Sequence, residues 1–134
     1  MKTNRSVPEA TVIPELPYPD VREAVDWLTR AFGFRERLQI GDHRAQLVYE
    51  GGAVIVIQGH APGSTLLVRV DDADAHHARA AEARATIVSE PEDFPYGERQ
   101  YNVVDPGGHR WTFSQSIDDV DPASWGGTLK DRAV

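Results

Sequence analysis

The chain has 134 residues, enough for one domain with a buried core but short for two. Its 40% hydrophobic and 26% charged residues are ordinary for a globular protein and exclude a disordered chain. The net charge of -7, from 21 acidic and 14 basic residues, disfavours nucleic acid as a partner, because an acidic surface repels phosphate.

The absence of cysteine excludes disulfides, thiolate metal sites and a cysteine nucleophile. No apolar run approaches the ~20 residues that a membrane span needs, and no apolar segment follows Lys2 and Arg5 as in a signal peptide. We therefore expect a cytoplasmic protein with no membrane partner. Its acidic surface would attract a cationic ligand, although solubility alone also explains the charge.

The first half of the sequence predicts one strand, one helix and three strands. Residues 11–15 have strand character, and Pro17 and Pro19 mean that this strand ends early or lies at a sheet edge, since proline cannot donate to a ladder. Asp20 is a helix N-cap, and the apolar residues that follow recur at helical spacing until Gly33. Turns containing glycine separate three further strands at residues 34–40, 44–50 and 53–58.

The second half repeats this order after a break at residues 61–63. The sequence predicts a strand at 64–70, a helix at 73–85, a short strand at 86–89, a loop at 90–97 and strands at 99–104 and 109–115. The turn between the last two strands contains Asp105 and Pro106 followed by two glycines. In the polar tail, residues 118–134, we expect the first part to pack on the domain near Trp125.

Two tandem βαβββ modules thus organise the sequence, as an internal repeat of element order. They form a single domain at residues 9–127, with module one at residues 11–59 and module two at residues 64–115. We expect residues 1–8 to be a flexible N-terminus and residues 128–134 to be a mobile tail.

The segment that runs from Tyr96 through the turn at Asp105 to Phe113 resembles the glyoxalase/bleomycin-resistance/dioxygenase (vicinal oxygen chelate) superfamily. The end of the first helix at residues 31–34 and the closing segment at residues 118–127 are also similar to that family, closest to its metal-free bleomycin-resistance-like branch. The resemblance implies an α+β fold whose two modules form an open curved barrel around a small-molecule cavity. It also implies a homodimer, in which the cavity is sometimes built from both subunits.

Metal-dependent members of this superfamily place a histidine or glutamate at four inward positions on the first and last strands of each module. The resemblance carries those positions onto Ile13, Val56, Thr65 and Thr112. Aliphatic chains and hydroxyls cannot compensate for the dehydration of a divalent cation. We therefore expect no metal site and no cofactor.

The histidines give no alternative metal site. His76 and His77 are adjacent on a helix, so they point ~100° apart and cannot chelate one ion together. We expect a surface position for all five, which are His43, His60, His76, His77 and His109.

The predicted cavity wall follows from strand alternation, because residues two apart from the four marker positions share their face. Phe94 and Tyr96 are candidates for aromatic stacking at the cavity mouth, and anchoring of their loop explains them equally well. The predicted ligand-binding residues are Glu15, Tyr49, Val54, Val56, Gln58, Thr65, Leu67, Arg69, Phe94, Tyr96, Gln100, Asn102, Thr112 and Ser114. The residues expected to pack against the helices include Ile55, Ile57, Leu66, Val68, Tyr101, Val103, Trp111 and Phe113.

Three functions remain open at this point. We favour binding over catalysis, namely a metal-independent protein that sequesters a small organic ligand such as a planar, cationic antibiotic or related metabolite. The second is a metal-dependent lyase, glutathione or thiol transferase, or dioxygenase, which would require a different strand alignment. The third is a metal-free acid/base enzyme that uses Glu15 or Glu98 with Tyr49 or Arg69, since an apolar cavity can raise the pKa of a carboxylate.

Overall fold

Two βαβββ modules follow each other in the computed structural model, which describes residues 4–60 and 63–130. The first module contains β1 (Glu15–Tyr18), α1 (Val21–Phe32), β2 (Arg35–Ile40), β3 (Arg44–Tyr49) and β4 (Gly52–Gln58). The second contains β5 (Thr65–Arg69), α2 (Ala73–Glu82), β6 (Thr86–Phe94), β7 (Glu98–Val104) and β8 (Arg110–Ser116), and a 3₁₀ helix follows at Pro122–Trp125. The predicted α+β class and element order are confirmed. Expectations for residues 1–3, 61–62 and 131–134 lie outside the described residues.

Each module forms an open four-stranded sheet. The strand orders are β1-β4-β3-β2 in the first sheet and β5-β8-β7-β6 in the second, and neither sheet closes into a barrel. In both sheets the first and last strands of the module pair in parallel and the other pairs are antiparallel. One face of each sheet packs on the helices, and we call the opposite face the open face. Among the described residues, no helix is long and apolar enough to cross a bilayer.

The first strand begins later than the sequence predicts. β1 starts at Glu15, so the strand expected at residues 11–15 was placed too early. Pro17 lies inside β1 and is paired with Ile57 of β4. The strand tolerates this proline because β1 is an edge strand with a single neighbour, which makes the sheet-edge alternative the correct one.

The prediction of a loop after residue 89 is wrong for residues 90–94. β6 continues to Phe94, and its pairing with β7 shifts register between Ser89 and Glu92. Such an irregularity accommodates Pro91, since β6 is also an edge strand and the outer side of an edge needs no N–H donor.

One hydrophobic core joins the two modules. The α1 and α2 helices pack on each other, and Phe32 at the end of α1 lies 4.8 Å from the ring of Phe113 and 5.2 Å from that of Trp111. Trp111 and Phe113 are fully buried, as predicted. Because residues of one module complete the core of the other, the modules form one packing unit.

Two of the histidines expected at the surface are buried instead. His76 Nε2 donates to the Phe32 carbonyl (3.0 Å), and its Nδ1 lies 2.6 Å from the hydroxyl of Tyr101. His109 Nε2 donates to the Pro17 carbonyl of the first module (2.8 Å), while its Nδ1 accepts from the backbone N–H of Ser64 (3.2 Å). Both imidazoles satisfy backbone groups where the modules meet, which accounts for their burial.

Candidate functional site

The open face of the first sheet differs from the one predicted. Register pairs Leu47 with Val54 and Ala45 with Val56, and all four side chains are buried in the core beneath α1. The predicted ligand residues Val54 and Val56 therefore face the helices. Correspondingly, the prediction that Ile55 and Ile57 pack on the helices is wrong, because they alternate with these valines and lie on the open face.

The remaining predicted residues of the first module fall in three places. Glu15 lies on the open face, where Arg44 Nη2 donates to its carboxylate (3.0 Å). Tyr49 packs against the core near Phe34, at a ring distance of 5.4 Å. Gln58 is exposed at the end of β4.

The open face of the second sheet carries the residues that the sequence predicts for it. Register aligns β5, β7 and β8 so that Thr65, Leu67, Arg69, Gln100, Asn102, Thr112 and Ser114 share this face. We call this set, together with Glu98, the second-sheet groove, a name that stands for this sheet face. Two polar chains run through it. In one, Thr112 donates to Asn102 (2.5 Å), which donates to Ser89 (2.8 Å).

The second chain of hydrogen bonds ends on the carboxylate of Glu98. Gln100 Nε2 donates to the hydroxyl of Ser114 (3.0 Å), which donates to Glu98 (2.7 Å), and Ser116 donates to the other carboxylate oxygen (2.6 Å). Partial burial raises the pKa of Glu98, but these hydroxyls and the charge of Arg69 outweigh it, so the net pKa lies below its usual range. Glu98 is thus a fixed negative charge in the groove.

Three aromatic rings stand at one end of this groove. Phe94 and Tyr96 are stacked, with centroids 5.4 Å apart and planes 10° apart, and Trp125 meets Tyr96 edge-on at 5.8 Å. The Tyr96 hydroxyl donates to Gln100 (3.2 Å), which connects the rings to the polar chain. We call Phe94, Tyr96 and Trp125 the aromatic trio. Trp125 is 49% exposed, so one of its surfaces remains available for contact.

The tail is held close to the groove by Gly97. This residue has a φ of +83°, and a Cβ there would collide with the carbonyl oxygen of Asp118. The Gly97 carbonyl also accepts a hydrogen bond from Ile117 N (2.9 Å). The turn therefore brings the 3₁₀ helix of the tail, and with it Trp125, against Tyr96.

A cleft of about 320 Å³ opens beside the groove, at the seam between the modules. Leu67 and Arg69 of β5 form one wall, and Tyr49 and Val54 lie at the hairpin of the first module. The other lining residues are Val12, Pro14, Phe34, Glu50, Gly51, Gly52, Ala53, Leu66, Val68 and Trp111. Leu67 and Arg69 are shared with the groove, so the cleft extends it toward the first module.

Glu98 and Trp125 were missing from the predicted ligand-binding set. Glu98 alternates with Gln100 and Asn102 along β7, which is a sufficient signal for a shared face. Trp125 gave no comparable signal, because the approach of the tail depends on the conformation of Gly97, far from Trp125 in the sequence.

The donor set does not fit a divalent metal. Ile13 precedes β1, Val56 is in the core, and the open face of β4 presents Ile55 and Ile57 in its place. Thr65 and Thr112 do lie on the open face of the second sheet. Within residues 4–60 and 63–130, no three His, Asp or Glu side chains converge as metal ligands. Hydroxyls and aliphatic chains do not replace them.

Comparisons with known proteins agree with this fold. A crystal structure of TioX from Micromonospora sp. ML1 is 39% identical, with a TM-score of 0.73, and the match covers 78% of this chain and 97% of that one. TnmS3 from Streptomyces sp. CB03234, described as an antibiotic binding protein, is 26% identical with a TM-score of 0.69 and covers 83% and 98%.

A curated relative gives a third similarity. Rv0887c of Mycobacterium tuberculosis (strain ATCC 25618 / H37Rv), described as uncharacterized, is 26% identical over 133 residues, which cover 84% of this chain and 78% of that protein. The family model of the Glyoxalase/Bleomycin resistance protein/Dioxygenase superfamily matches residues 11–113. The chain therefore belongs to the glyoxalase/bleomycin resistance protein/dioxygenase superfamily.

Proposed function

We propose that this protein is a cytoplasmic, metal-independent binding protein that sequesters a planar organic molecule of antibiotic type in the second-sheet groove. The aromatic trio carries this proposal, because stacked and edge-on rings next to hydrogen-bonding side chains suit a flat aromatic ligand with polar substituents. The similarity to TnmS3, an antibiotic binding protein, supports the same class of ligand.

The charge of the groove favours a ligand with a protonated amine. Glu98 is held as a carboxylate by Ser114 and Ser116, and the net charge of the chain is -7. A cation would be attracted to the protein from a distance and would meet a fixed negative charge at the groove. Arg69, on the same face, would pair with an acidic substituent of the ligand.

Binding is favoured over acid/base catalysis by the state of the carboxylates. A general base that works near neutral pH needs a raised pKa, whereas the pKa of Glu98 is lowered. The other candidate, Glu15, is paired with Arg44 on the first sheet. A metal-dependent reaction would find no cluster of three His, Asp or Glu ligands among residues 4–60 and 63–130.

The proposal is tested by titrating the protein with a panel of glycopeptide and intercalating antibiotics. Binding is measured by calorimetry and by quenching of tryptophan fluorescence. We expect at least one member to bind, and we expect Trp125→Ala to weaken that binding roughly tenfold or more, because base-like rings stacked on tryptophan contribute ~1–3 kcal/mol. Leu129→Ala is the matched control, since Leu129 is an exposed apolar residue of the same tail. No heat and no quenching at high micromolar concentrations across the panel would contradict the proposal.

We further propose that the protein is a homodimer, in which a second copy faces the open face of the second sheet and the ligand-binding groove lies between the two subunits. Leu67 on that face is 65% exposed, and Ile117, just after β8, is 43% exposed. Contact with a second copy would remove this apolar area from water, which favours association. Light scattering on a size-exclusion column should give twice the chain mass of 14.8 kDa, and Leu67→Asp should return it to the monomer value.

A further inference from the structure

Residues 4–8 lie across the open face of the first sheet, and we call them the N-terminal strap. Arg37 of β2 donates from Nη2 to the Arg5 carbonyl (2.7 Å), and Gln46 of β3 donates from Nε2 to the Ser6 carbonyl (2.8 Å). Arg37 Nη1 also donates to the Gln46 side-chain oxygen (2.5 Å). The side chains of Arg37 and Gln46 are therefore hydrogen-bonded to each other and bind the backbone of the strap at two successive residues.

Burial indicates that the strap covers this face. Gln46, Ala53 and Ile55 point away from α1, yet they are only 4%, 6% and 8% exposed. Pro8 of the strap is buried as well, which agrees with its packing against this face.

The surface under the strap is mostly apolar. Pairing across β2, β3 and β4 places Leu38, Val48 and Ile55 on the same open face as Gln46. Such a surface, flanked by polar groups, would bind an uncharged organic molecule if it were accessible. The strap thus occupies a place that a ligand could otherwise use.

We propose that the N-terminal strap determines ligand specificity by closing the open face of the first sheet, which directs ligands to the second-sheet groove. Arg37 and Gln46 are the positioning residues that hold the strap. That ligands are directed to the second-sheet groove rests on the proposed binding function, whereas closure of the first sheet is a property of the free protein. Closure by the strap restricts binding to ligands that fit the open face of the second sheet and the cleft between the modules, rather than both open faces.

Closure is tested by limited trypsin digestion of the full chain, with mass spectrometry of cleavage after Arg5. We expect cleavage in the intact protein to be roughly tenfold or more slower than in a synthetic peptide of residues 1–10. Arg37→Ala combined with Gln46→Ala should remove most of that protection, because three hydrogen bonds, two of them to the strap, are lost. The control exchanges the same residue types on one strand, Arg35→Ala with Gln39→Ala, and cleavage after the exposed Lys130 serves as the internal reference.

Occupancy of the face is tested with Nile red, an uncharged probe whose emission rises on apolar surfaces. The Arg37→Ala/Gln46→Ala variant should bind at least one more probe molecule than the unchanged protein and the control. Because the dye is neutral, the loss of the arginine charge should not itself change dye binding. Intact protein that is cut as fast as the peptide overturns the proposal, even if the variant fails to fold. Faster cleavage without extra probe binding overturns the specificity role. Both readouts need no natural ligand, so a failed antibiotic panel leaves them unaffected.

Discussion

The hydroxyl of Tyr18 donates a hydrogen bond of 2.5 Å to the carboxylate of Asp105, and the two residues are 87 positions apart in the sequence. Tyr18 ends β1 of the first module, and Asp105 begins the turn between β7 and β8 of the second. Burial raises the pKa of Tyr18 far above its usual range, and the neighbouring negative charge of Asp105 raises it further. The bond is therefore a fixed connection between the modules at ordinary pH.

Asp105→Ala should be one of the most destabilising single changes in the chain. Its carboxylate accepts from Tyr18, from Trp111 Nε1 (2.9 Å) and from the backbone N–H groups of Gly107 and His109. Loss of this carboxylate leaves four donors without an acceptor. We therefore expect the free energy of unfolding, measured with urea, to fall by about 3–5 kcal/mol. Tyr18→Phe removes only one of these hydrogen bonds, so it should lower the free energy of unfolding by about 1–2 kcal/mol. Equal losses for the two variants would contradict this account.

His76 should make the protein sensitive to mild acid. Burial lowers the pKa of His76 to about 4, against the hydrogen bond to the Phe32 carbonyl, and the charge of Arg79 lowers it further. The unfolded chain, with an ordinary pKa of about 6.5, binds the proton first, so stability is complete above that pH and falls as the pH drops toward 4.

The measurement compares the free energy of unfolding at pH 7 and pH 5 in the natural sequence and in His76→Gln. The linkage predicts an additional loss of about 2 kcal/mol in the natural sequence, which the variant should not show. His43→Gln, at the exposed hairpin between β2 and β3, is the control for the same substitution outside the core. An identical slope in His76→Gln would mean that other groups cause the acid sensitivity.

Gly97→Ala should release the tail, and Gly108→Ala provides a matched comparison. Both glycines have a φ of +83°, so each substitution costs about 1 kcal/mol of backbone strain. Only at Gly97 would the new Cβ meet another atom, the carbonyl oxygen of Asp118, whereas nothing lies near Gly108. We expect a larger loss of stability for Gly97→Ala together with a red shift of the tryptophan emission, and no such shift for Gly108→Ala.

Glu98→Gln should separate charged from neutral ligands. The amide retains an oxygen for Ser114 but removes the negative charge, so members of the panel with a protonated amine should lose roughly tenfold in affinity and neutral members should lose little. Glu82→Gln, at the end of α2 away from the groove, changes the net charge equally and serves as the control. A uniform loss across the panel would argue that Glu98 shapes the groove rather than recognising charge.

The sequence predicted the second sheet better than the first because of its alternation. Along β7 and β8, polar residues such as Gln100 and Thr112 alternate with buried ones such as Tyr101 and Trp111, so only one assignment of faces is possible. In β4, residues 53–57 are apolar on both faces, since the strap covers one and α1 the other. A period of two then carries no information about which face is the core.

Other differences came from contacts between distant segments. His76 and His77 are indistinguishable by local sequence, and only the approach of Phe32 decides that His76 is the buried one. The length of β6 was underestimated because Pro91 is a strand breaker in general and is tolerated here at an edge. Element order, capping by Asp20 and closure by Gly33 are local features, and the sequence was sufficient for them.

The shared core has a consequence for how the repeat can be taken apart. A fragment that contained a single module would leave Phe32, or Trp111 and Phe113, in water and would lose the acceptor or the donor of the Tyr18 hydrogen bond. Although the βαβββ order occurs twice, neither module buries its core without the other. Because each module completes the core of the other, we expect melting to occur as one cooperative event rather than in two steps.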